Sequence, residues 1–262
     1  MIKLIVTDMD GTLLDDNHQI NEEFWNILTT VKEKNINFAV ASGRQYYNLI
    51  EKFKGHEEGL IFIAENGTFV AKNNEELFST HLSKEASHKF IEIARTLPEV
   101  YVVLCGKKSA YIEEADEDFK KVVDLYYHHC DIVSDLKTVD DDILKIALFN
   151  KDCSEEKIYP FYKEFDKDFK VVVSGKTWVD IMDKSINKGV ALKAIKEKLN
   201  ITSDNILAFG DYLNDYEMML EATHSYAMKN AHPELKKVAK FEAPSNNENG
   251  VVEVIKKYLF EL

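Results

Sequence analysis

Two carboxylates and a glycine directly follow a short apolar run at the start of the chain. Residues Lys3 to Thr7 are rich in β-branched side chains and nearly all apolar, which predicts a strand covered on both faces. The run ends at Asp8 and Asp10, one residue apart, with Gly11 after them. Two buried carboxylates repel each other unless a cation lies between them. The pattern therefore predicts a divalent metal at the carboxyl end of a buried strand.

Two other interpretations of this turn are weaker. Asp10-Gly11 is a common hairpin pair, but no alternating second strand follows it. A calcium loop of the EF-hand type, counted from Asp8, requires glycine at its sixth position and glutamate at its twelfth. This chain has Leu13 and Gln19 there, which excludes that loop.

The length and charge of the chain limit what it can bind. Its 262 residues suffice for one large domain or two moderate ones, and 45% hydrophobic with 30% charged residues is an ordinary globular balance. The formal net charge of −13 argues against nucleic acid and against an anionic membrane as partners. An anionic substrate would therefore need local positive charge in order to enter a site.

Cysteine usage and hydropathy predict a cytoplasmic location. The three cysteines form no C-x-x-C pair and leave an odd number, which is typical of a reduced compartment. The N-terminus enters a strand without the features of a signal peptide, and no apolar run approaches the ~18 residues that a membrane-spanning helix needs. No obligate protein partner is evident in the sequence.

Strands and helices alternate in the first part of the chain. Asn21 is a predicted cap for a helix with an apolar stripe that includes Phe24 and Val31, and buried strands are predicted at 38–41 and 60–64 with a helix between them. A hairpin with its turn near Asn73-Asn74 follows. This βαβαβ order is typical of a parallel, doubly wound sheet.

The pattern changes at residue 83 and returns at about 185. Between these points short strands and helices predict an α+β segment with an antiparallel sheet. We therefore expect an α/β fold, with a doubly wound, Rossmann-like parallel sheet formed by residues 1–82 and 186–262. An α+β domain at 83–185 is inserted between these two parts.

Polar residues or glycine follow four strands of the predicted sheet. The four turns are Asp8-x-Asp10-Gly11, Ser42-Gly43-Arg44, Glu65-Asn66-Gly67 and Gly210-Asp211-x-x-Asn214-Asp215. Open α/β sheets bind ligands at the carboxyl ends of their strands, near the switch in strand order. Each turn alone is a weak signal, but the four together predict a single site at one edge of the sheet.

The residue types at this edge suit phosphoryl transfer to a carboxylate. Asp8 and Asp211 are hard oxygen ligands of the kind Mg²⁺ prefers, with the Asp10 backbone carbonyl as a further ligand. Asp8 is the expected nucleophile and Asp10 the expected acid and base. Ser42 and nearby backbone amides can donate to phosphoryl oxygens. Lys188 adds positive charge in the first turn of a helix. Because the macrodipole disfavours a cation there, an anionic partner for Lys188 becomes more favourable.

Most of these side chains also have an ordinary structural interpretation. Ser42 can cap the helix that follows its strand, and Asp211 and Asp215 can cap the next one. Arg44 can be a plain surface charge, and Asn66 can sit in a left-handed turn before a glycine. For Asp215 a supporting role is about as well founded as a direct one.

In combination the motifs resemble those of the haloacid-dehalogenase (HAD) superfamily. The matching segments are Asp8-Met9-Asp10-Gly11-Thr12, Ser42-Gly43, Asn187-Lys188-Gly189 and Gly210-Asp211-x-x-Asn214-Asp215. The α+β insert after the third strand is similar to the C2 cap of the Cof-type subfamily (class IIB). Further segments, such as Ala64-Glu65-Asn66-Gly67, resemble bacterial sugar phosphatases, and the resemblance covers essentially the whole chain.

The resemblance implies a Mg²⁺-dependent phosphatase acting on small phosphorylated metabolites, above all sugar phosphates. It implies an aspartyl-phosphate on Asp8, acid and base catalysis by Asp10, and metal held by Asp8, Asp10 and Asp211. Ser42 and Lys188 are expected to be catalytic as well. The expected substrate-binding residues are Ser42, Gly43, Arg44, Asn66, Lys188 and Asn214, with Asp215 in support. Within the cap, the segments 106–109 and 178–180 are candidates for closing over the substrate and selecting it.

Two alternatives to a sugar phosphatase stay open at this point. A phosphosugar mutase of the same superfamily resembles this chain in its Asp-x-Asp-Gly-Thr start and would return the phosphoryl group to sugar. A non-catalytic phosphoacceptor module would use Asp8 but would need neither Asp10 as an acid nor a cap of this size. A zinc site at His128-His129-Cys130 is rejected, because adjacent side chains on a helix diverge.

Overall fold

Apolar strands and amphipathic helices succeed one another along the chain. The computed structural model describes residues 1–113, 116–174 and 176–260. The strands are β1 (Leu4–Asp8), β2 (Asn37–Ala41), β3 (Ile61–Ala64), β4 (Phe69–Lys72), β5 (Glu75–Ser79), β6 (Tyr101–Gly106), β7 (Ala110–Ile112), β8 (Cys130–Ile132), β9 (Ile143–Phe149), β10 (Phe169–Val173), β11 (Trp178–Asp183), β12 (Ile206–Gly210), β13 (His224–Met228) and β14 (Phe241–Ala243). The helices are α1 (Glu22–Glu33), α2 (Tyr46–Lys52), α3 (Lys84–Arg95), α4 (Glu117–Tyr126), α5 (Ser154–Lys157), α6 (Tyr159–Tyr162), α7 (Lys188–Leu199), α8 (Tyr216–Leu220), α9 (Pro233–Val238) and α10 (Gly250–Phe260).

The larger sheet has the strand order β14-β13-β12-β1-β2-β3-β4-β5. Neighbouring strands from β14 to β3 run parallel, whereas β4 pairs antiparallel with β3. The chain moves from β1 to β3 on one side and from β12 to β14 on the other, so β1 lies at the switch in strand order. This is the point at which doubly wound sheets bind ligands. The predicted α/β fold class is confirmed.

Strand β1 is buried along its whole length. Its central position leaves it flanked by β12 and β2, with Val6 paired to Ala208 on one side and Ala39 on the other. The strand extends one residue further than the apolar run predicts, because Asp8 still pairs with Ala41 of β2. The first carboxylate is therefore part of the sheet and not of the turn after it.

The first helix forms as its sequence predicts. Asn21 Oδ1 accepts a hydrogen bond from the backbone N–H of Glu23 at 2.9 Å, which satisfies one of the unpaired donors at the start of α1. Phe24, Ile27, Leu28 and Val31 form its buried face. The ring of Phe24 packs edge-on against aromatic rings of the sheet and its loops, at Phe38 and Phe53. The hairpin between β4 and β5 is also confirmed, since Asn73 and Asn74 both have positive φ.

The inserted segment forms a second sheet of order β10-β11-β9-β6-β7-β8. Its strands pair antiparallel except for β7 and β8, which are parallel. The expectation of an antiparallel sheet therefore needs a correction at this edge. The sequence does not reveal β8 because Cys130–Ile132 is short and mostly exposed, without an apolar run or an alternation.

Two short helices, α5 and α6, precede β10. The first, α5, ends at Lys157, and α6 begins two residues later with Pro160 in its first turn. Proline has no backbone N–H to donate and cannot continue the preceding helix. No helix in the described ranges is long and apolar enough to span a membrane.

The contacts within the chain divide it into two compact units. The first comprises Met1–Gly43, Phe53–Phe78 and Asn187–Leu262, and the second comprises Arg44–Lys52 and Ser79–Ile186. The second unit thus includes α2, which the sequence analysis assigned to the sheet domain. Side chains of α2 donate hydrogen bonds to backbone carbonyls of the inserted segment, including Tyr47 to Lys107 at 3.2 Å.

All three residues of the predicted cap segment 178–180 are buried within the second unit. Trp178 is 8% exposed and packs against Phe149 at a ring-centroid distance of 4.9 Å. Asp180 is also buried and lies 3.6 Å from the ammonium of Lys145, with the Ser174 hydroxyl donating to it at 2.8 Å. Trp178 thus has the core position that is usual for tryptophan in a strand.

Candidate active site

Lys188 lies at the start of α7, and its ammonium contacts two carboxylates. Its Nζ is 2.5 Å from Asp8 Oδ1 and 2.6 Å from Asp215 Oδ1, and all three side chains are buried. Burial alone would lower the pKa of Lys188, but Asp215 and then Asp8 raise that pKa above its ordinary value. The lysine is therefore charged throughout the physiological pH range and holds Asp8 in one orientation.

The start of α7 is fixed by a cap and by a close packing contact. Asn187 Oδ1 accepts a hydrogen bond from the backbone N–H of Val190 at 2.8 Å. The Asn187 carbonyl oxygen packs against Gly67, where a Cβ would approach it to 2.5 Å. Gly67 also has a φ of +104°, which favours glycine. The turn after β3 and the first residue of α7 therefore determine each other's positions.

The turn after β1 packs directly against Asp211. The Thr12 hydroxyl donates a hydrogen bond to Asp211 Oδ1 at 3.0 Å. Gly11 has a φ of +79°, and a Cβ there would collide with Asp211 Oδ2. This approach requires glycine both for its backbone conformation and for its size. The carboxylate that follows β12 is thereby placed beside the turn that carries Asp10.

Three carboxylates form a cluster at the ends of β1 and β12. One oxygen from each of Asp8, Asp211 and Asp215 lies within 4.8 Å of the other two. Burial, followed by the charge of Asp215, raises the pKa of Asp8 well above its ordinary value despite the opposing effect of Lys188. Burial and then Asp215 also raise the pKa of Asp211, to about 6. The cluster carries more negative charge than its lysine offsets.

A divalent cation with oxygen ligands fits this set of donors. Both oxygens of Asp215 have partners in the protein: Lys188 contacts Oδ1, and Oδ2 accepts hydrogen bonds from the backbone N–H groups of Asp211 at 3.0 Å and Tyr212 at 3.3 Å. Asp215 therefore orients its neighbours, as a supporting residue does. Asp8 and Asp211 are the carboxylates of the cluster that suit Mg²⁺, which usually takes one or two protein carboxylates.

The turns after β2 and β3 come together beside this cluster in the chain topology. The backbone N–H of Asn66 donates to the Ser42 carbonyl at 3.0 Å, and a Cβ on Gly43 would lie 3.2 Å from the Asn66 side-chain amide. Asn214 Nδ2 in turn donates to Asn66 Oδ1 at 3.3 Å. Asn66 has a φ of +57°, so it also adopts the left-handed turn conformation that the sequence analysis gave as its structural interpretation. Asn66 thus contacts Ser42 and Gly43 on one side and Asn214 on the other.

Asp10 and Arg44 differ from the other candidates in their surroundings. The Asp10 side chain is 42% exposed and lies 3.6 Å from His18 Nδ1. Its negative charge contributes to the raised pKa of Asp211, although less than burial and Asp215 do. Arg44 belongs to the second compact unit, whereas the other predicted site residues lie in the first. A substrate contact for Arg44 remains a prediction.

Two residues have structural roles in the site that the sequence analysis did not assign to them. Thr12 was noted only as part of the first motif, yet its hydroxyl contacts Asp211. Asn187 was noted only as part of the third motif, yet it caps the helix that carries Lys188. Asparagine before an apolar stripe is a recognised start signal for a helix, so the sequence did contain the information for Asn187.

Residues 5–255 match the family described as haloacid dehalogenase-like hydrolase. The chain belongs to this family. The Cof-type resemblance noted in the motifs is thereby confirmed, and so is the HAD fold. The family match covers both the sheet domain and the inserted α+β domain.

Two similar proteins are named as phosphatases. The hydrolase is 36% identical over 261 residues to the 5-amino-6-(5-phospho-D-ribitylamino)uracil phosphatase YbjI of Escherichia coli (strain K12), a match that covers 98% of this chain and 96% of that protein. It is 26% identical over 260 residues to the 5-amino-6-(5-phospho-D-ribitylamino)uracil phosphatase YcsE of Bacillus subtilis (strain 168), with the same coverage of 98% and 96%. This HAD-like hydrolase is accordingly a phosphatase, that is, a phosphoric monoester hydrolase.

A solved structure from Eubacterium rectale has the same fold as this hydrolase. The two chains superpose with a TM-score of 0.90 at 31% identity, covering 98% of this chain and 99% of the other. The likeness extends over both the parallel sheet and the insert. The inserted α+β domain is thus part of the shared architecture.

Proposed function

We propose that this hydrolase is a Mg²⁺-dependent phosphatase of small phosphorylated sugars or sugar alcohols that acts through an aspartyl-phosphate on Asp8. The observation that carries the proposal is the buried contact of Asp8 with Lys188, 2.5 Å apart, at the switch point of the sheet. A carboxylate held by a charged lysine is oriented for attack and has little freedom to rotate away. The neighbouring Asp211 supplies a second hard oxygen ligand.

The metal ion would be held by Asp8, Asp211 and the backbone carbonyl of Asp10. When bound, Mg²⁺ offsets the repulsion between the Asp8 carboxylate and the phosphate dianion. The excess negative charge of the Asp8, Asp211 and Asp215 cluster supports this assignment, because the ammonium of Lys188 offsets only part of the charge of these three carboxylates. The net charge of −13 makes such local compensation more important.

In the first chemical step, a carboxylate oxygen of Asp8 attacks phosphorus and the bond from phosphorus to the substrate oxygen breaks. The Asp10 carboxyl group donates its proton to that leaving oxygen. Water then attacks phosphorus, and the Asp10 carboxylate removes a proton from it. The bond from phosphorus to Asp8 breaks, inorganic phosphate leaves, and both aspartates return to their starting states.

The remaining site residues would bind the phosphoryl oxygens. Donors fixed in place before the reaction are effective because they need no reorganisation as charge develops. The contact between Asn214 and Asn66 and the packing of Asn66 on Gly43 support a shared role of these turns. The proposed phosphate ligands are Ser42, Gly43, Arg44, Asn66, Lys188 and Asn214.

The ribityl phosphate of 5-amino-6-(5-phospho-D-ribitylamino)uracil is our leading specific substrate. The two relatives described above, from different bacteria, carry that compound in their names, and one is 36% identical to this chain. A phosphorylated sugar alcohol presents the same phosphate ester and hydroxyl chain as an open sugar phosphate. The site described above recognises the phosphate and does not distinguish between them.

We assign the choice of substrate to the inserted domain acting as a C2-type cap. Closure of a cap excludes water and adds contacts to the part of the substrate beyond the phosphate. The ring of Trp178 packs in the interior of the domain, so we assign this role to residues 106–109 and not to Trp178.

The proposed location of the protein is the cytoplasm, as expected from its cysteine usage.

A phosphate-release screen tests the proposal. Purified protein is assayed by malachite green against hexose, pentose and sugar-alcohol phosphates and the ribitylaminouracil phosphate, with Mg²⁺ and with EDTA. We expect Mg²⁺-dependent release of phosphate without any added bisphosphate. Transfer of phosphate to a second sugar position would instead indicate a mutase. Absence of release from all substrates, with stable phosphorylation of Asp8, would indicate a phosphoacceptor module.

A further inference from the structure

The turn that carries Asp10 is closed by hydrogen bonds to one backbone carbonyl, that of Met9. Met9 O accepts hydrogen bonds from the N–H groups of Leu13 at 3.1 Å and Leu14 at 2.8 Å. Since the Asp10 side chain is 42% exposed, packing around it is incomplete. The position of its carboxyl group therefore depends on the backbone of the turn.

Asn230, in the loop after β13, binds the first part of this turn. Its Nδ2 donates to the Gly11 carbonyl at 2.8 Å, and its Oδ1 accepts from the backbone N–H of Asn246 at 3.1 Å. An amide whose oxygen faces a backbone donor must present its nitrogen to the other side. The contact with Asn246 thus orients the Asn230 amide toward Gly11.

Asn246, in the segment before α10, binds the last part of the same turn. Its Nδ2 donates to the Leu14 carbonyl at 3.1 Å and to Asp16 Oδ1 at 3.1 Å. Asn246 is 6% exposed, so its contact with Leu14 is buried. A buried carbonyl that loses its donor costs free energy, and the backbone around it shifts to recover a partner.

We infer that Asn230 and Asn246 are positioning residues for Asp10 in the reaction. Asn230 donates to the Gly11 carbonyl and Asn246 donates to the Leu14 carbonyl. These are the first and last residues of the segment that directly follows Asp10. Neither asparagine touches the reacting atoms in this arrangement; each acts through the backbone of the turn. The inference rests on the proposed function, in which Asp10 gives a proton to the leaving oxygen.

Displacement of the Asp10 carboxyl group should lower kcat/KM more for some substrates than for others. A sugar alkoxide is a poor leaving group and needs the proton, whereas 4-nitrophenolate leaves without one. The value of kcat/KM covers the steps up to the departure of the alcohol, so it isolates this proton transfer from the later attack of water. Loss of either asparagine should therefore lower kcat/KM selectively for sugar phosphates.

The test compares kcat/KM for a sugar phosphate and for 4-nitrophenyl phosphate in Asn230→Ala and Asn246→Ala. We expect a fall of about tenfold or more on the sugar phosphate and of less than about threefold on the aryl phosphate. Asn247→Ala is the matched control, since Asn247 contacts the same loop only at the exposed Asp16. Its two kcat/KM values should stay within about twofold of those of the unmodified enzyme.

An isosteric variant separates hydrogen bonding from packing. Asn230→Asp keeps the acceptor for the Asn246 N–H but presents an oxygen to the Gly11 carbonyl. We expect the same selective loss as in Asn230→Ala. Because Asn230 is exposed, its two variants remain informative even if Asn246→Ala does not fold.

Asp10→Asn serves as the reference for the chemistry. If Asp10→Asn slows both substrates equally, the proposed acid role of Asp10 is wrong. If Asp10→Asn is selective for the sugar phosphate while the Asn230 and Asn246 variants lose both activities equally, the positioning inference is overturned and the asparagines serve stability alone.

Discussion

The ammonium of Lys188 contacts the fully buried carboxylate of Asp215 at 2.6 Å, almost as closely as it contacts the proposed nucleophile. Asp215 also accepts the backbone N–H of Asp211, so one side chain links the lysine to the second carboxylate of the cluster. Asp215 therefore fixes the positions of Lys188, a proposed phosphate ligand, and Asp211, a proposed metal ligand, relative to each other. Asp215 takes no part in the proposed reaction, and its buried position allows it to contact Lys188 and Asp211 at the same time.

Replacement of Asp215 by asparagine should weaken both stability and activity. Removing one partner of a buried ion pair leaves a charge incompletely compensated, and we expect a loss of about 3 kcal/mol in the free energy of unfolding. We also expect kcat to fall by about tenfold or more, because Lys188 loses one of its two anchors. Urea denaturation and steady-state kinetics measure the two effects.

Glu221→Gln is the matched control for Asp215→Asn. Glu221, at the end of α8, forms a partly exposed ion pair at 2.7 Å with Lys196 of α7, the helix that also carries Lys188. Such a pair contributes at most about 1 kcal/mol, so the control should change stability little and leave kcat unaltered. An equal loss of stability in both variants would contradict the special role assigned to the buried pair.

Gly67→Ala should displace the start of α7. A Cβ at this position would lie 2.5 Å from the carbonyl oxygen of Asn187, the residue before Lys188. Because the methyl group pushes on the helix that carries the lysine, we expect kcat to fall by about tenfold or more. Steady-state kinetics with a sugar phosphate, at saturating Mg²⁺, measures this.

Gly59→Ala provides the control for backbone strain. Gly59 also has positive φ, at +77°, but a Cβ there meets no atom within 4 Å. Alanine at Gly59 should therefore cost about 1–2 kcal/mol of stability from its backbone conformation and leave kcat unchanged. If both glycine variants lose kcat to the same extent, the contact with Asn187 does not control the lysine.

Affinity for Mg²⁺ should fall as the pH is lowered through 6. Burial and then Asp215 raise the pKa of Asp211 to about 6, above its ordinary value, so protons compete with the ion in this range. Without metal, a raised carboxyl pKa means that the folded state binds the proton more tightly than the unfolded state. Stability is therefore lost as the pH rises from the ordinary pKa of an aspartate through about 6, and Mg²⁺ should offset that loss.

Thermal unfolding with and without Mg²⁺ measures this competition. The stabilisation by Mg²⁺ should be larger at pH 7 than at pH 5, and it should be small at both pH values in Asp211→Asn. A Mg²⁺ effect on the melting temperature that is equal at pH 5 and pH 7 would argue against Asp211 as a metal ligand.

Local patterns in the sequence predicted the strands and helices that position the site. Strand β1 and helix α1 follow from an apolar run and from a capped apolar stripe, which depend on neighbouring residues alone. The convergence of the four turns follows from parallel topology, because parallel strands place their carboxyl ends at one edge. These parts of the fold were predictable without knowledge of long-range contacts.

The parts that sequence analysis missed depend on contacts between distant residues. The pairing of Asp215 with Lys188 joins positions 27 residues apart, and Asn230 reaches Gly11 across 219 residues. No local pattern marks such partners. Strand β8 is similar, because its three residues form a strand only where β7 offers an edge. Tertiary contacts decide these features.

The most direct test of the proposed chemistry is to trap the phosphorylated enzyme. Asp10→Asn protein is mixed with Mg²⁺ and 4-nitrophenyl phosphate, whose leaving group needs no proton from Asp10, then quenched in acid and analysed by mass spectrometry, with Asp8→Asn as the control. We expect one phosphoryl group, located on Asp8, in the first variant, and neither phosphorylation nor phosphate release in the second. Phosphate release by Asp8→Asn at the rate of the unmodified enzyme would contradict an aspartyl-phosphate mechanism.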